Sequence, residues 1–443
     1  MSETLFELPE RSELRVPRPG GKPRLVRPNR TQVEMRLAAL DDLLPAEHLA
    51  RVIWAMVEQL DLSAFYDQVQ AIEGEPGRPM TDPAVMFGLW LYATAESVGS
   101  ARQLERLCGE HLAYQWLCGG VPVNYHTLSD FRVGHEAELD ALLTQHVAAL
   151  MAEGLVSLER TAQDGIRVRA SAGSGSFRRR ARLEEYQAAA QARVAALKEP
   201  AGPEAPTSTA RQQAAQARAA RERLARLNQA LEELKQVEAR KAKSHKPAAE
   251  QKEARASTTD PQARIMKLPD GGYQPAYNGQ LTVDTASGVI VGVDVINQVD
   301  QGQMGPMVEQ LQARYGQVPA EHLVDGGFLT YPDLEAVAAK GVEVYGPLSA
   351  PGRNSQDPTE PHASDGPGVR DWRQRMQTEA AKVVYKLRSQ TIEWTNAGVR
   401  QRGLYQFRVR GPSKAKAVLL WLALIHNLLV SRRLQARPAV IGH

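Results

Sequence analysis

The spacing of apolar residues changes at about residue 158, and this change limits the chain to a two-part architecture. Between about 35 and 157, apolar residues recur at helical spacing, as in LPAEHLARVIWAMVEQL, and Thr81-Asp82-Pro83 is a helix-start signal. From 158 onward, short alternating or apolar runs typical of strands take turns with helical segments. The pattern predicts an all-α N-terminal domain over 31–157, followed by an α/β layer with mixed strand directions.

The α/β part begins with a strand predicted over Gln163–Ala170. Farther along, YNGQLTVDTASGVIVGVDVINQV predicts a hairpin that turns at Ala286-Ser287-Gly288. HLVDGG and VEVYGP predict two short buried strands with a helix between them. We then expect one long helix from about 373 to 400, a strand over LYQFRVR and a closing apolar helix over KAVLLWLALIHNLLV.

A segment rich in Ala, Arg, Glu and Gln, residues 177–256, interrupts the α/β part. Its second half carries apolar residues at the alternating three- and four-residue spacing of a helical seam: Ala217, Ala220, Leu224, Leu227, Leu231 and Leu234. Pro200, Pro203 and Pro206 separate this half from an earlier helical stretch. The segment is therefore predicted to be a helical hairpin inserted between 158–176, the first part of the α/β core, and 257–443, its remainder.

The net charge of +3 conceals a strong segregation of charge. Residues 11–30 hold seven Lys or Arg and one acid, residues 177–256 hold eighteen and ten, and residues 372–443 hold fourteen and two. Residues 1–30 are also rich in Pro and Gly, which predicts a flexible basic arm. Basic segments around an acidic body favour a polyanionic partner outside and a cation site inside. Alternatively, the basic residues would serve only to keep exposed helical faces solvated.

Several classes of protein fit the chain poorly. Two cysteines cannot form a disulfide framework, and the N-terminus lacks a basic-then-apolar signal pattern. The sequence has no run of 18 apolar residues, which a membrane span would need. It also has no GxxxxGK[ST] loop, which would indicate ATP binding. We expect a cytoplasmic protein that needs neither a membrane nor ATP.

Three carboxylates fall where such a fold can bring acids together. Asp164 lies in the first strand, Asp325 follows the apolar run 322–324, and Glu393 lies in the predicted long helix. Carboxylate oxygens are the ligands that Mg²⁺ prefers, and two such ions support phosphodiester chemistry. On an ideal α-helix, Glu393 would share one broad face with Tyr385, Arg388 and Arg400, as a metal ligand beside phosphate-binding groups would. A solvated ion-pair face would show the same spacing.

Other residues admit two interpretations. The short N-terminal helices fit a helix-turn-helix module or a purely structural bundle. Cys108, His111, Cys118 and His126 match no common zinc-finger spacing closely. Asp284, Asp294 and Asp300 could be further ligands, although aspartates near turns are usually structural. His426 is expected to be a packed core histidine. His322 adjoins the strand before Asp325 and could be an auxiliary group, although we expect a packed or surface histidine.

Six motifs in order resemble bacterial insertion-sequence transposases of the DDE class. They are QDGIRVRASAG, TDPQARIMK, GYQPAYNGQLTVD, LVDGGF, the Tyr385-x2-Arg388-x4-Glu393-x6-Arg400 signature and the terminal HNLL. This family usually has Lys at the position of Arg400, Ala-Gly-Tyr where Gly326-Gly327-Phe328 stands, and a Pro-Phe-Gly-like run in place of WTNAG.

The resemblance implies a ribonuclease-H-like core and a catalytic triad of Asp164, Asp325 and Glu393. The triad would hold two Mg²⁺ ions, with Mn²⁺ as a substitute, while Tyr385, Arg388 and Arg400 would bind DNA phosphates. The implied function is a transposase, a homodimer in its active complex, that cuts the terminal inverted repeats of its element. It would then join the 3′-hydroxyl to target double-stranded DNA of the bacterial nucleoid. A catalytically silent, transposase-derived DNA-binding protein and a metal-dependent nuclease without strand transfer are the alternatives.

Overall fold

The computed structural model describes residue 31, residues 37–71, residue 74 and residues 79–198, 210–242, 253–348 and 360–436. The predicted basic arm at 1–30 and the prolines at 200–206 lie outside the described residues.

Helices build the N-terminal part, and polar side chains start several of them. The Asp82 carboxylate accepts the Ala84 N–H at 2.8 Å with Pro83 at the first helical position, and Asn124 accepts the Thr127 N–H at 3.0 Å. These bonds satisfy N–H groups that a helix start leaves unpaired. In the described residues the helices are α1 (Leu49–Val57), α2 (Ser63–Tyr66), α3 (Pro83–Ala95), α4 (Ala101–Glu110), α5 (Leu112–Cys118), α6 (Tyr125–Gly134) and α7 (Glu136–Ala152).

A mixed sheet follows, with β1 at its centre. Its strands are β1 (Arg160–Arg169), β4 (Arg264–Lys267), β5 (Tyr273–Asp284), β6 (Ile290–Ile296), β7 (Glu321–Leu323) and β8 (Glu343–Tyr345). β5 and β6 extend the sheet from β1 on one side as antiparallel strands, with β4 beside the start of β5, and β7 and β8 extend it on the other side as parallel strands. The predicted hairpin is β5–β6, and Gly288 in its turn has a φ of +76°, which favours glycine.

Two helices, α8 (Arg180–Ala196) and α9 (Ala210–Ala242), lie between β1 and β4 in the chain. A two-stranded ribbon of β2 (Phe177–Arg178) and β3 (Ala256–Ser257) pairs the two ends of this segment. The helices pack through a cluster of their own that includes Leu183, Leu227, Leu231 and Leu234, whereas Ala217 and Ala220 are only half-buried. The apolar contact of the segment is therefore concentrated toward the β2–β3 ribbon, whose Ala256 belongs to the same cluster.

The remaining helices flank the sheet and end in one long apolar helix. They are α10 (Met304–Tyr315), α11 (Tyr331–Ala338), α12 (Pro367–Gln377), α13 (Glu379–Arg388), α14 (Trp394–Gln401) and α15 (Pro412–Gln435). α15 packs against α3, α6 and α7 of the N-terminal part and against β6 of the sheet. The Trp421 ring lies 4.7 Å from that of Phe87 in α3, so both parts of the chain share one core. α15 is long and apolar enough to cross a membrane, but 78% of its most apolar window is buried inside the protein.

Two predictions about the C-terminal region were wrong. The expected single helix over 373–400 is broken at Thr378, whose side chain accepts the Ala381 N–H at 3.1 Å and begins a new helix. Residues 404–410 form no strand; they pair with the end of β1 only through a bridge between Arg169 and Gln406. Gly403 and Gly411, both at positive φ, bound this short segment and turn the chain away from the sheet.

Candidate active site

The pairing of β1 with β7 brings two of the predicted acids side by side. The two strands are parallel, with Thr161 opposite His322 and Ala162 opposite Leu323. Continuing this register by two residues places Asp164 opposite Asp325, just beyond the end of β7. Neighbouring strands lie about 4.8 Å apart, and residues in register point to the same face of the sheet. The sheet alone therefore puts both carboxylates at one place.

The guanidinium of Arg388 lies between all three predicted acids. One of its nitrogens, Nη2, is 3.3 Å from Asp164 Oδ1 and 3.8 Å from Asp325 Oδ2. The other, Nη1, is 3.7 Å from Glu393 Oε1. The Arg388 side chain is 11% exposed, against 61% for that of Glu393, so the cation is buried and the Glu393 carboxylate is open to solvent.

A π-helical turn over Ser389–Glu393 explains how Glu393 reaches this cluster. On a regular α-helix, residues 388 and 393 would point about 140° apart, because each residue turns the helix by about 100°. A π-helix bonds each residue to the fifth one along, which brings such a pair together. The prediction of a common face on a regular α-helix was therefore wrong. Arg388 and Glu393 do lie together as expected, but a π-turn brings them there. Single π-turns are frequent at functional sites.

Asp164 is the most enclosed of the three acids and has fixed partners at both oxygens. Its Oδ1 accepts the N–H of Gly165 at 2.9 Å and faces Arg388, while its Oδ2 accepts Asn396 Nδ2 at 2.9 Å. Burial raises the pKa of Asp164 to about 6; Arg388 opposes this rise, and the nearby Asp325 adds to it. Sequence reasoning missed Asn396, which lies in the WTNAG stretch that departs from the family pattern.

The other two predicted phosphate-binding residues differ in their distance from the acids. Tyr385 is half-buried near the cluster, and burial raises the pKa of its hydroxyl. Arg400 is half-buried in the last turn of α14, and among the described residues it forms no ion pair with the acids. Arg400 lies seven residues beyond Glu393, which is about 10 Å farther along the helix axis, and this distance explains why the predicted grouping does not extend to Arg400.

The face of β1 opposite Asp164 carries a buried polar network. Asp300 accepts bonds from Asn278 Nδ2 at 2.7 Å, from Gln280 Nε2 at 2.9 Å and from Arg167 Nη2 at 3.3 Å. Gly165 makes this approach feasible, since a Cβ there would lie 2.1 Å from Asp300 Oδ1. Asp300 therefore stabilises β1 from the face of the sheet opposite to Asp164.

The remaining candidates have structural partners. His322 is buried between Thr161 Oγ1 at 2.8 Å and Gln163 Oε1 at 3.0 Å, and His426 is buried against the Gly288 carbonyl oxygen at 2.9 Å. The packed position was predicted for His426, and for His322 the structure decides between the packed and the surface position in favour of the packed one. Two of the aspartates accept local N–H bonds, Asp284 from Ser287 and Asp294 from Val295.

The donor set of the acidic cluster fits divalent cations. Three carboxylates converge on one positive group, and the buried amide oxygen of Asn396 has no partner among the described residues. In the part of the chain that the structure describes, no three His, Cys, Asp or Glu side chains are grouped closely enough to hold a metal ion. Arg388 fills the space between the acids, so it must withdraw before they can close on an ion.

The carboxylates of Asp164 in β1, of Asp325 just after β7 and of Glu393 in the π-turn are hard oxygen donors, the type that divalent cations in phosphodiester chemistry take. Comparisons with known families agree. Residues 38–134 match the family described as Transposase domain (DUF772), and residues 250–428 match the one described as Transposase DDE domain. The chain belongs to the insertion-sequence transposases of the DDE class.

The match to the DDE domain also indicates the fold of the α/β part. The DDE domain implies a ribonuclease-H-like core, with which the observed mixed sheet and flanking helices agree. Asp325 and Glu393 lie inside the match at 250–428, whereas Asp164 precedes it, on the far side of α8 and α9. No curated protein and no solved structure matches the chain.

Proposed function

We propose that this transposase is active: it cuts the ends of its element and joins the freed 3′-hydroxyl to target DNA. The observation that carries the proposal is the convergence of Asp164, Asp325 and Glu393 on one cationic group, from two register-matched strands and a π-turn. A DNA-binding protein without catalytic activity would have no need for three acids from separate elements at one place. These three residues are our candidates for the catalytic carboxylates.

The proposed cofactor is a pair of Mg²⁺ ions, for which Mn²⁺ would substitute. When bound, such ions activate the attacking oxygen and stabilise the leaving oxygen. Arg388 has a separate role in this proposal: it neutralises the acids in the structure described here, and if cations took its place it would be free to bind DNA phosphates beside Tyr385. A planar guanidinium suits either partner.

The proposed partners are the terminal inverted repeats and target DNA of the bacterial nucleoid, bound by a homodimer in the cytoplasm without ATP. The helices α8 and α9 support a DNA-binding role, because Arg182, Arg193, Arg218, Arg221 and Arg223 are exposed on them. Exposed arginines release counterions from DNA and add affinity that salt weakens. The predicted basic arm at 1–30 would add to this binding.

The test is cleavage and strand transfer on DNA that carries the element ends, with Mg²⁺, with Mn²⁺ and with a chelator. Glu393→Gln keeps the size of the side chain and removes its charge, so chemistry should fall by several orders of magnitude while DNA binding survives. Each ion supplies several kcal/mol, and about 1.4 kcal/mol changes the rate tenfold. Asp164→Asn and Asp325→Asn should behave alike, and combining them should add little.

Glu379→Gln is the matched control, since Glu379 is an exposed acid of the neighbouring helix α13 that pairs with Lys382. It should retain full activity. A wild-type protein that binds the ends but cuts nothing with either metal would make the silent DNA-binding protein the better description. Cleavage without any joined product would favour the nuclease.

A further inference from the structure

Asn396 has a position among the acids that the proposed chemistry leaves unused. It lies one turn after Glu393 on α14, and its Nδ2 donates to Asp164 Oδ2 at 2.9 Å. Its other terminal atom, Oδ1, is buried and has no hydrogen-bond partner among the described residues. Buried amide oxygens are rarely left unpaired in folded proteins, so this one calls for a partner.

The separation of the two side chains suits a shared cation. Ligands at about 2.1 Å from an octahedral Mg²⁺ ion lie about 3.0 Å from their neighbours around the ion. The terminal amide atom of Asn396 and Asp164 Oδ2 are 2.9 Å apart. A half-turn of the carboxamide exchanges its nitrogen and oxygen with little change in shape. That half-turn would put two oxygens face to face at the distance of adjacent ligands, which only a bridging cation or proton makes favourable.

We propose that Asn396 is a fourth metal ligand of the active site, contributing its amide oxygen beside Asp164. This inference rests on the proposed metal-dependent function. In the metal-free protein the Nδ2 group satisfies the carboxylate of Asp164; on metal binding the amide turns, and the oxygen that is now unpartnered meets the ion. A neutral oxygen adds a ligand without adding negative charge to a cluster that already holds three acids.

Mn²⁺ binding to the full chain without DNA tests this, by the electron paramagnetic resonance signal of free Mn²⁺. Asn396→Leu has nearly the same shape and no oxygen, and should weaken Mn²⁺ affinity about tenfold or more, as loss of a partner at a metal site does. Asn396→Asp keeps an oxygen in place, and should bind Mn²⁺ at least as tightly as the wild type. Asn396→Ala repeats the loss if the leucine variant fails to fold.

A charge-neutral exchange, Asp164→Asn together with Asn396→Asp, separates a ligand from a mere hydrogen-bond donor, because it keeps both the net charge and the hydrogen bond between the two side chains. If Asn396 is a ligand, the exchanged pair should retain Mn²⁺ affinity; if Asn396 only donates to Asp164, the exchange should lose affinity as Asp164→Asn alone does. That result would overturn the inference and leave the transposase proposal standing. Unchanged affinity in both the leucine and alanine variants would overturn it as well.

Asn297→Leu is the matched control, because Asn297 is also half-buried and donates one bond at 3.0 Å, to the Gln262 carbonyl oxygen. It should leave Mn²⁺ affinity unchanged; an equal loss there would refute a specific role for Asn396. A wild-type protein that binds no Mn²⁺ would refute the metal site itself, and this inference with it.

Discussion

Replacement of Gly165 by alanine should destabilise the protein although alanine ordinarily suits a strand better than glycine. The added Cβ would lie 2.1 Å from Asp300 Oδ1 and 2.7 Å from Asn278 Oδ1. Asp300 would have to withdraw by about 1 Å to restore normal contact. Its Oδ1 is the acceptor of the bonds from Asn278 and Gln280, so both bonds would be lost or stretched.

The size of the effect follows from those two bonds. A hydrogen bond to a charged group contributes about 1.5–3 kcal/mol, and Asp300 is only 14% exposed, so solvent replaces little of the loss. We expect the free energy of unfolding to fall by about 3 kcal/mol or more, measured by urea unfolding. If Asp164 is catalytic as proposed, transposition should fall as well, because β1 carries Asp164 next to Gly165 and loses the support of Asp300, and a displacement of about 1 Å at an active site can cost about a hundredfold in rate.

Two further variants make the prediction specific. Gly173→Ala adds a Cβ with nothing within 4 Å, at a φ of −87°, and should change stability by less than about 0.5 kcal/mol. In the Asp300→Ala background, Gly165→Ala should cost far less than in the wild type, because the colliding carboxylate is gone. Equal stability of the Gly165 and Gly173 variants, or an equal cost with and without Asp300, would refute the reasoning.

Three other predictions concern separate parts of the chain. Leu227→Asp should separate α8 from α9, since burial of a leucine contributes about 1.5–3 kcal/mol, but leave the sheet folded by circular dichroism; global unfolding would contradict an independent segment. Removal of residues 1–30 should reduce the salt dependence of DNA affinity by a few units of log K per log salt in filter binding, and an unchanged slope would count against the arm. His322→Gln should flatten the pH dependence of stability. Burial lowers the pKa of His322 from 6.5 to about 4, so the unfolded chain binds the extra proton in that range. Wild-type stability therefore falls as the pH drops from about 6.5 to 4, by up to about 1.4 kcal/mol per pH unit, and urea unfolding across that range should show the smaller slope in the variant.

Local patterns predicted much of the fold. The β5–β6 hairpin was readable because two β-rich runs flank a turn that contains glycine, and the β7 and β8 strands were readable as short apolar runs. The break at Thr378 was missed, although Thr followed by Glu is a helix-start signal. The segment 404–410 alternates like a strand, but alternation does not say whether a partner strand is available, and here the pairing ends after one bridge.

The candidate site shows the same division. Asp164 and Asp325 could be chosen because acids in or just after buried strands are unusual, and the sheet register brings them together. The π-turn has no simple signature in residues 389–393, since it depends on one extra backbone residue per turn rather than on side-chain type. Asn396 gave no signal either: its contact with Asp164 spans 232 positions of sequence and depends on that turn. The assignment of the three acids as catalytic stays a prediction until variants are assayed.

The position of α15 in the chain has a consequence for how the protein is made. This helix supplies the centre of the apolar core for both the N-terminal helices and the sheet, yet the ribosome synthesises it after almost everything it packs against. Nascent domains generally fold as they emerge, N-terminal first. Here Phe87 and its neighbours lack the packing partner Trp421 until α15 has been synthesised. The N-terminal helices thus emerge with an unfilled apolar face, and folding becomes complete only when translation of the helix that unites both parts is finished.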